Sequence, residues 1–275
     1  MLRQILALLA FLCFAVLGLH AQDPLYSQFY AAPLQLNPAL AGNTVGPHIA
    51  INYRNQWPSI PNAYSTYSIA YSQFVPTLNS GFGLMLLSDD AGDGLLKTNR
   101  ASAFFSYRVQ VNRDFSLKLG TEASVVQARI NWDRFLFLDQ IDAELGPVSP
   151  GGMPFPTEEV RPESLTNTYL DLSAGILAYS RRFYGGISIK HLNTPNESFL
   201  QINENLNTGL PLRLTMHAGA EIELIRGNKS WSGAFLSPNI MFVRQGPFGQ
   251  LNLGSAVSFG FVYGGVWYRH ALGNA

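Results

Sequence analysis

The stretch LRLTMHAGAEIEL, residues 212–224, separates into an apolar and a polar set when every second residue is read. The apolar set comprises Leu212, Leu214, Met216, Ala218, Ala220, Ile222 and Leu224. The polar set comprises Arg213, Thr215, His217, Gly219, Glu221 and Glu223. Because successive side chains of a strand point to opposite faces, this period of two predicts an extended strand with one apolar and one polar face. The fold depends on which of these faces meets water.

The same alternation recurs along the chain. It is clear in residues 101–111 and 115–125, where every charged side chain again falls on the face that is rich in small and polar residues. In total the sequence predicts about eleven strands, with boundaries uncertain by a few residues. The other predicted strands are residues 48–56, 64–74, 81–88, 168–180, 183–192, 233–243, 249–259 and 261–269.

The length of these strands and the composition of their faces favour a membrane barrel. Strands in globular proteins are typically about five or six residues long, whereas a strand that crosses a bilayer needs about nine to eleven. A soluble sandwich, the alternative, would turn its polar face outward, and Gly and Ser would not dominate that face. In a membrane barrel the apolar face meets lipid and the polar face lines a lumen. The sequence therefore predicts an all-β fold, an antiparallel transmembrane β-barrel of the outer membrane.

The lengths of the connections agree with this prediction. If the first strand rises from the periplasm, the short connections at residues 112–114 and 181–182 lie on the periplasmic side. The connections at 88–98, 129–167 and 193–211 are long and lie outside. Short inner turns and long outer loops are typical of outer-membrane barrels. The 129–167 segment contains five prolines, so no additional strand is expected in it.

The N-terminus predicts export. Arg3 precedes an apolar run from Ile5 to Leu19, and the small Ala21 follows, which is typical of a secretory signal peptide over residues 1–21 that is cleaved after Ala21. An uncleaved anchor helix is the alternative. The single cysteine, Cys13, lies inside this run, which excludes a disulfide scaffold or a thiolate metal site in the mature chain. A formal net charge of zero gives no electrostatic footprint for nucleic acid.

Residues 22–47 form a distinct segment before the barrel, which we expect to occupy residues 48–275. The segment contains Pro24, Pro33 and Pro38, and the Asn37–Pro38 pair favours a turn. It is too polar and too often interrupted for a lipid-facing strand. We expect a hatch that enters or caps the lumen from the periplasm, either as a mobile gate or as a fixed plug.

Seven charged or ionisable side chains on predicted inner faces are candidate lumen-lining contacts. They can neutralise one another and stiffen the lumen, or they can form a polar lining that contacts a passenger segment. These residues are Arg108, Lys118, Glu122, Arg213, His217, Glu221 and Glu223.

Catalytic and cofactor chemistry is not predicted. No serine accompanies His217 on its strand as a nucleophile, and the histidines show no paired-ligand spacing. The acidic residues of the 88–96 loop lack the spacing of an EF-hand, so a solvated hairpin loop is preferred over a calcium site. Tryptophans near the strand ends predict an aromatic girdle at the membrane interface. They are Trp57, Trp132, Trp231 and Trp267.

Several segments carry a resemblance to a known family. The segments QDPLYSQFYAAPLQLNPALAGN (22–43) and YGGISIKHLNTPNESF (184–199) are the most specific of them. INYRNQWPSI (51–60), FLDQID (137–142) and GGVWYRHALG (264–273) occur in the same order. Together they resemble the PorP/SprF family of type IX secretion system outer-membrane proteins. Because bacterial barrels have an even number of strands, the likeness of this family to FadL-type barrels implies about fourteen strands in a complete chain. The glycine-rich region and terminal strand with a His-Glu pair that usually follow are missing, and we expect the barrel to be incomplete at its C-terminus.

The resemblance implies a non-enzymatic role in protein export and surface display. Family members work with large adhesin-type cargo proteins that carry a C-terminal sorting domain. The resemblance also implies contacts with other type IX secretion subunits, and in some relatives a link to gliding motility. The implied location is the cell outer membrane, in contact with its lipid. The alternative is a FadL-like channel for hydrophobic small molecules, which would require an apolar pocket inside the barrel.

Overall fold

A computed structural model describes residues 23–26, 28–44, 46–60, 63–142, 146–147, 152, 155–199, 209–227 and 233–272. Within these residues the protein forms one antiparallel sheet in which each strand pairs with the next along the chain, except that β8 pairs with β10, as β9 also does. The strands are β1 (His48–Gln56), β2 (Tyr64–Val75), β3 (Ser80–Ala91), β4 (Leu96–Gln110), β5 (Phe115–Ile130), β6 (Thr166–Ser180), β7 (Phe183–Lys190), β8 (Arg213–Ala220), β9 (Ile222–Ile225), β10 (Ala234–Gln245), β11 (Phe248–Phe259) and β12 (Val262–Ala271).

The predicted strand at residues 212–224 is present in two parts, β8 and β9. Between them, the backbone N–H of Glu221 donates a hydrogen bond to the carbonyl oxygen of Arg182, in the turn between β6 and β7 (2.8 Å). Because both parts pair with β10, they occupy one position in the sheet. The twelve strands therefore fill the eleven predicted positions, and β1 and β12 each have a neighbour on one side within the described residues.

The two faces of the sheet are inverted relative to those of a soluble protein. Along β8, Met216 is 42% exposed, whereas Thr215 is 1% exposed and His217 is buried. Along the other long strands most large apolar side chains point outward, and the inward ones are mainly small or polar, apart from a few such as Met85 and Phe104. A row of large apolar side chains on the outside is stable where the outside is lipid. The predicted all-β membrane barrel fold is confirmed.

The connections separate into two rims. We call outer rim the one reached by the ends of β1, β3, β5, β7 and β10, because the two long connections start there. The inner rim is reached by the ends of β2, β4, β6, β9 and β11. The predicted long loop at 88–98 is wrong: β3 and β4 remain paired as far as Ala91 and Leu96, which leaves four connecting residues.

The N-terminal segment, described over residues 23–26 and 28–44, occupies the interior of the sheet. Its α-helix, α1 (Pro33–Leu36), lies between two 3-10 turns, Phe29–Ala31 and Pro38–Leu40. Pro33 and Pro38 each occupy the first position of a helix or turn, where the missing N–H is not needed. None of the helices in the described part of the chain is long and apolar enough to span a bilayer.

Two apolar clusters attach this segment to distant parts of the inner face of the sheet, which we call the wall. On one side, Leu34 packs against Ala70, Met85 and Phe104 of β2, β3 and β4. On the other side, Phe29 and Leu36 pack against Met241 and Val243 of β10. The hydrophobic core of the protein is therefore the contact between the N-terminal segment and the inner face of the sheet.

Candidate functional site: the filled lumen

Asn37 fastens the N-terminal segment to three neighbouring strands. Its side-chain Nδ2 donates to the carbonyl oxygens of Ile176 in β6 (3.1 Å) and Ile187 in β7 (3.3 Å), and lies 3.2 Å from Nε2 of His217 in β8. Its Oδ1 accepts the backbone N–H of Ala39, which closes the 3-10 turn (2.9 Å). The residue is fully buried. The expected turn at Asn37–Pro38 thus lies at the attachment point of the segment.

Glycines on the inner face allow the backbone of the segment to approach the wall. A Cβ on Gly120 would lie 2.2 Å from the backbone nitrogen of Ala39, and a Cβ on Gly175 would lie 2.0 Å from Oδ1 of Asn37. On Gly81 it would lie 2.1 Å from the carbonyl oxygen of Ala41. These distances are below any real Cβ contact, so the small residues of the inner face mark the docking surface of the segment.

The inner end of the segment is held through its carbonyl groups. The carbonyl oxygen of Ala41 accepts hydrogen bonds from Oγ of Ser106 (2.8 Å) and Nζ of Lys118 (2.7 Å). Lys118 also donates to the carbonyl oxygen of Gly42 (3.3 Å). A lysine ammonium is a compact charge with three donors, which suits a cluster of carbonyl oxygens.

A buried ionic network crosses four consecutive strands. Arg100 of β4 pairs with Asp171 of β6 (Nη1 to Oδ2, 2.6 Å), and Lys190 of β7 pairs with Glu122 of β5 (Nζ to Oε2, 3.1 Å). Arg100 and Glu122 are 3.9 Å apart, which connects the two pairs. Because a buried charge is costly unless it is paired, we expect the ion pairs of these four residues to form together.

The network continues into the first described residue of the N-terminal segment. Oδ2 of Asp23 lies 3.0 Å from Nη1 of Arg213 and 2.9 Å from Nε2 of His191, whose Nδ1 lies 3.0 Å from Asp171. The contacts of Asp23 with His191 and Arg213 therefore tie the start of the described N-terminal segment to the outer half of the lumen.

The chain matches the family described as type IX secretion system membrane protein PorP/SprF over residues 19–275. It belongs to this family. The protein is accordingly a membrane component of the type IX secretion system. In this PorP/SprF family member, the N-terminal segment lies inside the lumen. A search among curated proteins finds no match to the chain.

The candidate lumen residues lie in different environments. Lys118, Glu122, Arg213 and His217 are buried inside the sheet, against the N-terminal segment or in the ionic network. The remaining three lie toward the inner rim. Glu221 and Glu223 are exposed, and Arg108 lies over the ring of Phe74 with its guanidinium carbon 4.4 Å from the ring centroid.

Sequence reasoning missed five members of the network. Four of them lie in predicted strands or directly before one, and for Arg100, Asp171 and Lys190 the alternation along the strand was a usable signal. The fifth, Asp23, lies in an irregular segment, where no periodicity indicates which way a side chain points. The missed residues are Asp23, Arg100, Asp171, Lys190 and His191.

A cavity of about 330 Å³ lies next to Asp23 in the outer half of the lumen. Arg100, Lys190 and Arg213 of the network line one part of it. The carboxylate-bearing Asp89 and Glu197 line it as well, together with an apolar part. The apolar lining consists of Met85, Leu87, Leu96, Ala128, Phe199 and Leu210. We call this space the outer cavity.

The acidic hairpin between β3 and β4 is a hydrogen-bonded turn. Asp89 accepts from Oγ1 of Thr66 (2.5 Å), and Asp90 accepts from the backbone N–H of Gly94 (2.5 Å). Asp93 forms an ion pair with Arg134 (2.6 Å). Within the described residues, no group of three or more His, Cys, Asp or Glu side chains could hold a metal ion.

Three aromatic rings form a cluster on the outer rim of this PorP/SprF protein. The ring centroid of Phe137 lies 4.8 Å from that of Trp132 and 6.0 Å from that of Phe135. The adjacent Leu136 and Leu138 are exposed, Leu138 to 87%. We call residues 132–138 the outer aromatic cluster.

Polar contacts hold this cluster in place. Besides the Arg134–Asp93 pair, the carboxylate of Asp139 accepts the backbone N–H of Glu158 (2.7 Å) and the hydroxyl of Thr157 (2.9 Å). These hydrogen bonds, that of Glu158 first, lower the pKa of Asp139. The cluster is therefore a defined surface rather than an unstructured loop.

One tryptophan does not fit the expected aromatic girdle. Trp267 of β12 points inward, stacks on Tyr30 with ring centroids 5.0 Å apart, and donates from Nε1 to Oδ1 of Asn239 (2.8 Å). The alternation of β12 places it on the inner face, where the N-terminal segment supplies an aromatic partner. Trp57 is exposed at the end of β1, and Trp231 lies outside the described residues.

Proposed function

We propose that this protein is a non-enzymatic outer-membrane barrel that serves the export and surface anchoring of a large adhesin-type cargo protein with a C-terminal sorting domain. Membership of the PorP/SprF family supports a role in type IX secretion. The observation that carries the finer proposal is the filled lumen. In the described part of the chain the N-terminal segment occupies the inner face of the sheet, which supports engagement of the cargo at the outer rim rather than inside the lumen.

Of the two forms expected for the N-terminal segment, the fixed plug has the stronger support. Asn37, Ala41 and Asp23 each make several buried polar contacts with the wall. The apolar clusters around Leu34 and Leu36 lie on different sides of the segment. Opening the lumen would break all of these contacts together, which is far more costly than the motion of a surface loop.

The outer aromatic cluster is the surface we assign to the cargo. Exposed apolar patches rimmed by polar groups are typical of protein interaction sites, and aromatic residues are enriched at the centres of such sites. Leu136 and Leu138 project beside the rings, and the charged pairs Arg134–Asp93 and Arg161–Asp133 surround them. This arrangement supports an apolar contact with a polar margin.

Deletion of the full-length gene in its host, followed by mass spectrometry of surface proteins, tests the role. Selective loss of one large adhesin supports a dedicated cargo partner. Loss of every type IX substrate would make the protein a core secretion subunit. An unchanged surface with impaired uptake of a lipid-like nutrient would favour the FadL-like channel, for which the apolar part of the outer cavity is the supporting feature.

A point variant tests the docking surface. Leu138→Arg places a charge in the outer aromatic cluster, and we expect several-fold less cargo on the cell surface at an unchanged amount of barrel protein. The matched control is Leu78→Arg, at an exposed leucine on the inner rim. Equal cargo display in Leu138→Arg and wild-type cells would remove the cluster from the proposal, and a loss in Leu78→Arg alone would move the contact to periplasmic secretion subunits.

A further inference from the structure

A second cavity, of about 310 Å³, lies in the inner half of the lumen between the N-terminal segment and the wall. Phe29 and Leu36 of the segment line one side of it, and Tyr184 of β7 lines the other. Ser180, the last residue of β6, and Asn43 also line it, which places it near the inner rim. We call this space the inner cavity.

The lining of the inner cavity is aromatic, apolar and uncharged. Tyr30, Tyr179 and Tyr184 contribute rings, and the described residues that line it include no Asp, Glu, Lys or Arg. Because a buried charge is costly unless it is paired, an ionic ligand would find no partner in this lining. Ligand pockets usually measure about 300–1,000 Å³ and are mostly apolar, with a few polar groups that fix orientation. The inner cavity therefore suits a small neutral molecule.

His217 supplies the polar group, and its neighbour Asn37 determines which ring nitrogen carries the proton. Oδ1 of Asn37 accepts the backbone N–H of Ala39, so the amide orientation is fixed and the donor Nδ2 faces Nε2 of His217 at 3.2 Å. A second donor cannot be placed opposite Nδ2, so Nε2 carries no proton. The proton of the imidazole is then on Nδ1.

This Nδ1–H is a donor without an acceptor. His217 is only 4% exposed, and Nδ1 has no hydrogen-bond partner in the part of the chain that the structure describes. A buried donor that remains unpaired costs about 1–3 kcal/mol, so an acceptor next to it is stabilising. Because His217 lines the inner cavity, a molecule bound there can supply that acceptor.

We propose that the inner cavity binds a neutral, mainly apolar small molecule through a carbonyl group that accepts the Nδ1–H of His217. This inference goes beyond the cargo proposal and does not depend on it. The N-terminal segment forms one side of the cavity and the strands form the other. A bound molecule therefore contacts the segment and the wall together, and its binding stabilises the seated segment.

A matched pair of probes tests the hydrogen bond. The full-length gene product is purified in detergent and titrated with 2-acetylnaphthalene and with 2-isopropenylnaphthalene, which has the same shape but a CH₂ group in place of the carbonyl oxygen. We expect the ketone to bind about tenfold more tightly, as one buried hydrogen bond allows. In nitrogen-15 spectra of histidine-labelled protein, the Nδ1–H resonance of His217 should shift with the ketone and not with the hydrocarbon.

Two variants test the position of the site. His217→Phe removes the donor, and the ketone should then bind as weakly as the hydrocarbon. This variant also loses the contact with Asn37, whereas Asn43→Phe leaves that contact in place and fills the cavity from an exposed position. Asn43→Phe should weaken both probes about tenfold or more. Thr44→Phe is the matched control, because Thr44 is equally exposed but does not line the cavity.

Two further measurements support the proposal and define the occupant. The ketone should slow proteolytic cleavage of the N-terminal segment in the wild type and in Thr44→Phe, but not in Asn43→Phe. Methyl octanoate presents the same acceptor on an acyl chain. If it binds more tightly than 2-acetylnaphthalene, the carbonyl is that of a lipid ester, and if it binds more weakly, the carbonyl belongs to a free aromatic compound.

Other results would overturn the proposal. Equal affinity of the ketone and the hydrocarbon, or unchanged affinity in Asn43→Phe, would remove the site. Tighter binding of 2-naphthoate than of the ketone would make it an anion site. An Nδ1–H that exchanges with water and does not respond to any probe would show that the cavity holds water only.

Discussion

At the scale of single residues, contact rather than backbone conformation explains the key glycines of the wall. Gly81, Gly120 and Gly175 lie within regular strands, and none of them has a positive φ. Each faces the backbone or the attachment residue of the N-terminal segment at a distance that excludes a side chain. A single methyl group at such a position must displace the segment.

We therefore expect Gly120→Ala to unseat the turn at Pro38–Leu40. The added Cβ would lie 2.2 Å from the backbone nitrogen of Ala39, and overpacking of a tight interior costs about 1–3 kcal/mol or more. Thermal unfolding of the detergent-solubilised protein should shift downward, and limited proteolysis should cut the N-terminal segment. Gly185→Ala is the control, because its Cβ would meet its nearest neighbours at 3.8 Å. Equal stability of the two variants would contradict the assigned contact.

The composition of the inner face could be predicted at this scale, but its cause could not. Alternation in residues 115–125 assigns Lys118, Gly120 and Glu122 to one face, and the structure places them together. What fills the space above Gly120 is about eighty residues away in sequence, in a segment without periodicity, and a single sequence carries no signal for that contact.

At the scale of strands, the ionic network depends on register. Each of β4, β5, β6 and β7 contributes one charged residue, and the order of charges along the sheet is positive, negative, negative, positive. A shift of one residue in any strand would turn its charge toward lipid. The network therefore specifies register as well as holding Asp23.

Removal of one cation should be strongly destabilising. Arg100→Met leaves Asp171 and Glu122 buried with fewer positive neighbours, and loss of one partner of a buried pair costs about 3–5 kcal/mol. The free energy of unfolding in urea, measured in detergent, should fall by that amount, and Arg100→Met combined with Asp171→Leu should recover part of it. Arg134→Met is the control, because the exposed pair with Asp93 is worth about 0–1 kcal/mol. Comparable losses in the two single variants would mean that the network is solvated.

Strand positions were predictable because periodicity acts over many residues, whereas strand ends were not. The predicted strand at 81–88 extends to Ala91 because its backbone remains paired with Tyr64–Thr66 of β2, where Asp89 also accepts a hydrogen bond from Thr66. The interruption at Glu221 likewise depends on the carbonyl group of Arg182 in another hairpin. Hydrogen bonds between distant residues decide such boundaries.

At the scale of the whole molecule, exposure to the outside has two different meanings. Leu84, in the middle of β3, is 62% exposed and Leu138, in the outer aromatic cluster, is 87% exposed. By surface area alone the two leucines are alike. In a membrane barrel, however, Leu84 faces the hydrocarbon region and Leu138 faces water or a partner protein.

The same substitution at both positions separates these environments. Arginine on the lipid face of a barrel costs about 2–4 kcal/mol near the bilayer midplane and little beyond the interface. Leu84→Arg should therefore reduce the fraction of the protein that reaches a folded, membrane-integrated form, measured by resistance to carbonate extraction and by the mobility of unboiled samples in gels. Leu138→Arg should assemble as the wild type does while it displays less cargo. If Leu84→Arg assembled normally and became soluble without detergent, the apolar face would be meeting water, and the inverted arrangement of the sheet would need another explanation.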